Sequence, residues 1–256
     1  MIDLEIGDQP LTLAQLRGAW LEPVQVKLAA SALQRVSTSS AKISEVLEKG
    51  TEVYGVNTGF GLLANVHISD DELEHLQENL IRSHAVGLGE LLPDEIVRLV
   101  MLMKLKALAE GFSGVRPRLV EALCDLVNSG IYPTIPRKGS VGASGDLAPL
   151  AHMSCALLGI GNVRVAGEEM TATEALRKAG LKPVRLRPKE GLALLNGTQV
   201  STAIALAAAF RTENVMSAAL VAGAMSTDAI KGSDNPFDER IHRIQSMLSE
   251  RGIRLR

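Results

Sequence analysis

GSVGASGDLAPLAHM, residues 139–153, joins a glycine-rich loop to an apolar helix that is predicted to begin at Leu147. The triplet Ala143-Ser144-Gly145 within it can cyclise if the amide nitrogen of Gly145 attacks the carbonyl carbon of Ala143. The ring then loses one water and the Ser144 side chain loses a second, which leaves a methylidene-imidazolone, an electrophile made from backbone. Glycine suits the attacking position because it has no Cβ. On the triplet alone, a plain glycine-rich turn or a phosphate-binding loop ahead of a helix is the favoured interpretation.

The composition of the chain favours helices over sheets. Of the 256 residues, 46% are hydrophobic but only 3% are aromatic. The core is therefore expected to be aliphatic, which suits helices better than strands. We predict a mainly α fold with one small β-hairpin around Ala166-Gly167. The net charge of −2 gives no electrostatic reason to expect nucleic acid or an anionic membrane as a partner.

The cysteines and the apolar segments predict a cytoplasmic location. Cys124 and Cys155 lie in apolar helical settings and are expected to be buried free thiols of a reducing compartment. The first ten residues contain acids and no basic apolar leader, so no secretory signal is expected. The most apolar stretch, 200–225, is interrupted by charged residues and is not expected to supply the ~20 apolar residues of a membrane span. No spacing of histidines, cysteines and acids suggests a metal site.

Four further blocks accompany residues 139–153: VYGVNTGFGLL (53–63), NLIRSHAVGLGE (79–90), GFSGVRP (111–117) and KEGLALLNGTQ (189–199). Together, in this order, they resemble the aromatic amino acid ammonia-lyases, most closely the bacterial histidine-specific branch. The resemblance implies the N-terminal half of the histidine ammonia-lyase-like (fumarase/aspartase-like) helical fold. It also implies that Ala143-Ser144-Gly145 forms the family's MIO group (4-methylidene-imidazol-5-one) autocatalytically, with no metal.

The resemblance does not extend evenly along the chain. It covers residues 1–240, an ammonia-lyase-like region that contains the MIO loop, and fades in residues 241–256, which we interpret as a divergent C-terminal tail. Family members are about twice as long, so the helical C-terminal half is expected to be absent. A truncated gene, a frameshift or one half of a split enzyme would each look like this.

The resemblance assigns the proton-transfer chemistry to the block at 53–63. Tyr54 is the implied general base that removes the β-proton of the substrate, which requires its pKa to be lowered from ~10. A tyrosine in such a glycine-rich loop would otherwise be interpreted as a packed ring. Asn57 is a further candidate for binding substrate, and Asn57, Gly59 and Gly61 are expected to shape this loop.

The remaining candidate residues would bind substrate or support the loop. By resemblance, His84 faces the substrate ring, and Asn196 and Gln199 bind the electrophile or the amino acid group. From the residues alone, His84 is a helix C-terminal histidine, and Asn196 belongs to a turn before the next helix. Asp146 is expected to cap the helix beginning at Leu147, whose dipole would then stabilise negative charge on the loop.

Two hypotheses of different class follow. In the first, the chain is an ammonia-lyase, or part of one, that converts L-histidine to trans-urocanate; phenylalanine or tyrosine as substrate, in a lyase or an aminomutase, is the enzymatic alternative. In the second, it is a catalytically silent remnant that acts as a structural or regulatory subunit. The expected partners are a small amino acid substrate and either further copies of the chain, as in the family's homotetramers, or a complementary C-terminal chain.

Overall fold

The computed structural model describes residues 1–50, 53, 55–58, 70–142 and 144–250, without the side chains of residues 70–72 and 245–250. Contacts between Cα atoms divide the chain into two units, Met1–Ala207 and Ala208–Arg256. The described helices are α1 (Leu13–Leu21), α2 (Ala30–Glu48), α3 (Asp70–His84), α4 (Asp94–Ala109), α5 (Pro117–Asn128), α6 (Leu147–Leu157), α7 (Ala172–Lys178), α8 (Glu190–Leu195), α9 (Gln199–Ala229) and α10 (Glu239–Glu250). The prediction of a mainly α fold is confirmed.

Short strands lie between the helices. They are β1 (Ile2–Ile6), β2 (Val24–Leu28), β3 (Leu88–Leu91), β4 (Ile131–Pro133), β5 (Pro136–Lys138), β6 (Asn162–Val165) and β7 (Glu168–Thr171). The predicted hairpin is confirmed as the antiparallel pair β6–β7. The expectation that it is the only β structure is wrong: β1 and β2 pair in parallel, β3 pairs with β5, and β4 extends the hairpin. These strands have three to five residues and, apart from the hairpin, pair with distant segments, so local sequence patterns do not reveal them.

Several helix boundaries follow from local signals in the sequence. Thr12 and Gln15 form a reciprocal capping box at the start of α1, which satisfies two otherwise unpaired amides. Pro117 occupies the first turn of α5, where its missing N–H has no intrahelical partner to lose. The free thiols of Cys124 and Cys155 are buried as expected, and burial raises the pKa of each to about 11.

Helices α4 and α6 form the centre of the first unit. Nearly every side chain of α6, including Pro149 in its first turn, is buried. In α4 the buried side chains continue around the helix rather than along one face, which is typical of a helix covered on all sides. Helices α3, α6 and α8 pack against one another. This arrangement places the first turn of α6, and the loop before it, beside the C-terminal end of α8.

The second unit contains most of α9, a short 3₁₀ turn (Asn235–Phe237) and α10. Apolar side chains of α9 are exposed here, among them Val215, Met216, Leu220, Val221 and Met225. By length and composition α9 meets the criterion for a membrane-spanning helix, and 11% of its most apolar window is buried. The expectation that no apolar stretch reaches this length is therefore wrong, because a window of α9 carries too few charges to interrupt it. The start of α9 is nonetheless buried in protein at Val200, Ala203 and Ala207.

Candidate active site

The loop at 139–146 meets the turn between α8 and α9 through two glycines. Gly145 and Gly197 form an isolated parallel β-bridge, and the amide of Asp146 donates to the Gly197 carbonyl at 2.7 Å. Gly145 has a φ of +96°, and a Cβ added there would lie 2.2 Å from the Gly197 oxygen. Only glycine fits this position, because any side chain would collide with backbone. The last residue of the triplet, Gly145, is thus held against the backbone of the turn between α8 and α9.

Asp146 supports this contact in a way that differs from expectation. Its backbone occupies the N-cap position of α6, but its side chain makes no cap hydrogen bond to that helix. The buried carboxylate instead accepts hydrogen bonds from the Ser201 amide at 2.8 Å, the Ser201 hydroxyl at 3.0 Å and the Ser140 hydroxyl at 2.8 Å. The predicted cap of α6 is wrong because the carboxylate is bound by the first turn of α9 and by Ser140 instead.

Two helix N-termini consequently converge on the loop. Helix α6 begins immediately after Asp146, and the first turn of α9 is bound by the Asp146 carboxylate. The amides at a helix N-terminus carry partial positive charge. An oxygen that gained negative charge at the triplet would be stabilised by α6. The Asp146 carboxylate is itself stabilised by hydrogen bonds from α9 and from Ser140.

The residues around the triplet fit an internally formed ring. Gly145 has a positive φ and no side chain, so its amide nitrogen can approach a neighbouring carbonyl closely. Ser144 is exposed. Ala143 lies outside the described residues. Gln199 Oε1 is buried without a hydrogen-bond partner among the described residues, and it would lie 2.1 Å from a Cβ added to Gly197. Because buried acceptors usually have a hydrogen-bond partner, Gln199 Oε1 could accept from a donor that forms or binds beside the contact of Gly145 with Gly197.

Asn196 and Gln199 flank the same contact from the α8–α9 turn. Asn196 is exposed, has an extended backbone that ends α8, and donates its side-chain amide to the Leu192 carbonyl at 3.3 Å. The structure therefore brings Asn196, Gln199, Ser144, Gly145 and Asp146 together at one turn.

His84 is the last residue of α3, and its tautomer follows from one hydrogen bond. Nδ1 lies 2.8 Å from the Leu80 carbonyl oxygen, and because a carbonyl only accepts, Nδ1 carries the proton. In the neutral ring Nε2 is then the acceptor. The segment after His84 is fixed by His152 of α6, whose Nε2 accepts from the Gly87 amide at 3.0 Å; burial lowers the pKa of His152, as suits an acceptor.

The block that contains the candidate base is described in part. Asn57 is buried, and its Oδ1 accepts from the Val53 amide at 2.8 Å, which closes the turn from 53 to 57. Tyr54, Gly59 and Gly61 lie outside the described residues. Their assignment stays a prediction.

Two buried charges near the site were not found from the sequence. Glu190, 1% exposed, accepts hydrogen bonds from the Arg116 backbone and side chain and from the Arg187 amide. It thereby joins the blocks at 111–117 and 189–199. Lys104, 2% exposed, lies in α4 beneath the C-terminal end of α8. A charged residue within an apolar helical run was the available signal in the sequence for Lys104. Among the described residues, no group of three or more histidines, cysteines or acids could hold a metal.

Asp146→Asn should destabilise the first unit by about 3 kcal/mol, because an amide nitrogen replaces one acceptor oxygen among donors that are buried. Denaturant unfolding of the purified chain measures this change. Asp125→Asn is the control, since Asp125 is exposed and its ion pair with Arg118 is long at 3.7 Å; a shift within about 0.5 kcal/mol is expected. Equal shifts for the two variants would contradict the structural role given to the Asp146 carboxylate.

The arrangement is that of the helical lyases and aminomutases that act on aromatic amino acids. A solved histidine ammonia-lyase from Trypanosoma cruzi superposes with a TM-score of 0.87 at 33% identity, covering 96% of this chain and 47% of that one. The phenylalanine aminomutase of Pantoea agglomerans superposes with a TM-score of 0.86 at 30% identity, covering 95% of this chain and 47% of the aminomutase.

The chain belongs to the aromatic amino acid lyase family, whose model, described as "Aromatic amino acid lyase", matches residues 11–251. Among curated proteins, it is 54% identical over 232 residues to histidine ammonia-lyase of Salmonella heidelberg (strain SL476), which covers 91% of this chain and 46% of that relative. The chain thus spans about half the length of the curated relatives it matches.

Proposed function

We propose that this chain carries the electrophile-forming part of a histidine ammonia-lyase site and takes part in the elimination of ammonia from L-histidine to give trans-urocanate. The single observation that carries the proposal is the contact of Gly145 with Gly197, where a backbone at φ +96° admits no Cβ. The identity of 54% to a histidine ammonia-lyase supports histidine as the substrate.

The residues have separate tasks in this reaction. The MIO group, once formed from Ala143-Ser144-Gly145, supplies an electrophile that makes the amino group of the substrate a better leaving group. Tyr54 takes the proton from the β-carbon, the carbon–nitrogen bond at the α-carbon breaks, and the electron pair of the lost proton forms the alkene. The nitrogen leaves with the electron pair of the broken bond and takes up the proton from Tyr54, so that ammonia and trans-urocanate are released and Tyr54 returns to its deprotonated form.

Substrate orientation is assigned to His84, Asn196 and Gln199. Because Nδ1 of His84 is bound to the Leu80 carbonyl, Nε2 is the atom that accepts an N–H from the imidazole of the substrate. Nonpolar phenyl rings offer no such donor, which favours histidine over phenylalanine. The amide of Asn196 is exposed beside the triplet and suits the amino acid group. Phenylalanine or tyrosine as substrate is the alternative that the phenylalanine and tyrosine aminomutases among the similar structures support.

Association with further protein is part of the proposal. The exposed apolar side chains of α9 in the second unit form a surface of the kind that isolated soluble proteins rarely leave uncovered. We assign this surface to a homo-oligomer or to a complementary C-terminal chain, in the cytoplasm. A catalytically silent subunit that associates through the same surface is the competing function.

Urocanate formation by the purified chain, followed by its absorbance, tests the proposal. Alone, the chain should be at least about a hundredfold slower than in the presence of the C-terminal half of the Salmonella relative, because a site that lacks preorganised groups loses orders of magnitude in rate. Phenylalanine and tyrosine are assayed in parallel. A chain that carries the cyclised triplet but forms no product from any of the three, with or without the added half, would support the silent subunit instead.

A further inference from the structure

Lys104 is the most deeply buried of the cations that the structure describes near the site. It lies within α4, is 2% exposed, and belongs to the largest fully buried side chains of the chain. Burial lowers its pKa to about 7. A buried ammonium group is unfavourable unless it is well hydrogen-bonded, so its partners indicate what it stabilises.

Among the described residues, the hydrogen-bond partners of Lys104 are two carbonyls at the end of α8. Nζ donates to the Ala193 oxygen and to the Asn196 oxygen, each at 2.7 Å. The last carbonyls of a helix have no intrahelical donor and form the negative end of its dipole. In a continuing helix the Ala193 carbonyl would accept from the amide of Gly197. Lys104 takes the place of that amide, and the chain is free to leave the helix at Asn196.

The peptide that Lys104 holds is one bond away from the glycine contact. The Asn196 carbonyl is joined to the nitrogen of Gly197, and the Gly197 carbonyl accepts from the Asp146 amide at 2.7 Å. Gly197 also approaches Gly145 so closely that a Cβ on Gly145 would meet three of its backbone atoms within 3.0 Å. A shift of the Asn196 peptide is therefore passed directly to the residue whose nitrogen must attack Ala143.

We propose that Lys104 is a positioning residue for formation of the electrophile: its ammonium group fixes the Asn196–Gly197 peptide against which Gly145 and Asp146 are set. The inference rests on the proposed function, because it concerns the cyclisation of Ala143-Ser144-Gly145. Lys104 touches neither substrate nor reacting atoms, and it acts through two carbonyls and one backbone segment.

Lys104→Met and Lys104→Gln separate this role from general stability. Methionine matches lysine as far as Cε and has no donor, whereas the glutamine amide keeps two N–H donors without charge. Lys106→Met is the matched control, because Lys106 lies in the same helix and is 14% exposed. Its Nζ donates at 2.7 Å to the carbonyl of Gly7, which follows β1 and belongs to neither the 139–146 loop nor the α8–α9 turn. All three purified full-length chains are compared with wild type.

Two readouts are measured on each chain. Intact mass with peptide mapping gives the share of molecules that have lost two waters from the peptide holding the triplet. Amide hydrogen exchange of residues 139–150 reports how stable the hydrogen bond from the Asp146 amide to the Gly197 carbonyl is, whether or not the triplet has cyclised. In Lys104→Met we expect the cyclised share to fall about tenfold or more, since small misplacements strongly slow such reactions, and exchange at Asp146 to rise about tenfold.

Lys104→Gln should keep most of the cyclised share, and Lys106→Met should match wild type in both readouts. A wild-type chain without the two-water loss would contradict the proposed function and, with it, a role of Lys104 in cyclisation; faster exchange in Lys104→Met would then still show that Lys104 holds the loop. A cyclised wild type with no change in Lys104→Met would overturn the positioning role alone. Equal losses in Lys106→Met, or a Lys104→Met chain that does not fold, would also overturn it, because the role would then be one of general stability.

Discussion

Ser144→Ala is expected to abolish the loss of two waters from the peptide that contains residues 143–145, as measured by intact mass. Alanine has no β-hydroxyl, so the exocyclic alkene cannot form even if the ring closes. With the electrophile missing, urocanate formation in the presence of a complementary C-terminal half should fall by about three orders of magnitude or more. Because Ser144 is exposed, the free energy of unfolding should change little.

Ser144→Cys provides a chemical control for this result. The thiol can leave as hydrogen sulfide, so loss of one water and one hydrogen sulfide would give a product with the same mass as the cyclised wild type. Ser140→Ala is the positional control: it removes a nearby hydroxyl that only donates to Asp146, and the two-water loss should persist. A Ser144→Ala chain that still forms urocanate at the wild-type rate would contradict the assignment of the electrophile.

Gly145→Ala is expected to combine loss of the cyclised product with a clear loss of stability. The added Cβ would meet the oxygen, carbonyl carbon and nitrogen of Gly197 at 2.2, 2.7 and 3.0 Å. Since these are backbone atoms, the α8–α9 turn would have to move. The strain at φ +96° and the overlap together should destabilise the first unit by about 3 kcal/mol, measured by denaturant unfolding.

Gly142→Ala, in the same loop, is the matched control. Its φ is +66°, but a Cβ there would have nothing within 4 Å. The substitution should therefore cost only about 1 kcal/mol for the left-handed conformation and leave the two-water loss intact. If Gly142→Ala and Gly145→Ala had the same effect on the two-water loss and on the free energy of unfolding, backbone strain in the loop would explain both. The contact of Gly145 with Gly197 would then not be needed for cyclisation.

Local signals in the sequence mark several helix ends and the hairpin. The capping box of Thr12 and Gln15, the proline at the start of α5 and the hairpin β6–β7 each depend on residues a few positions apart. The other strands were missed because their partners are far away along the chain, as in the pairing of Ile2 with Val24. The membrane-span criterion met by α9 was also missed, because single charges within the apolar stretch were given too much weight.

The candidate site was predicted in its residue types more than in its contacts. That Ala143-Ser144-Gly145 is able to cyclise can be predicted from covalent structure, since a central β-hydroxyl and a following glycine permit the ring, but only the resemblance favoured this interpretation over a plain turn. The sequence could not show that Asp146 binds the first turn of α9 instead of capping α6. An aspartate at the N-cap position suggests a local cap, and only the tertiary contact with Ser201 reveals the other partner.

By itself the sequence indicated the mainly helical fold and the triplet that can become an electrophile, because composition, helix caps and backbone chemistry are local properties. The family followed from the resemblance of five sequence blocks in order. Only the tertiary structure decided how Gly145 is pressed against Gly197, which groups satisfy the Asp146 carboxylate, and why a lysine is buried at position 104. Apart from the hydrogen bond of Ser140 to Asp146, each of these contacts joins residues at least fifty positions apart in the chain. Their partners are chosen by the packing of α3, α4, α6 and α8, where a buried donor or acceptor must find its complement in whatever segment the fold brings beside it.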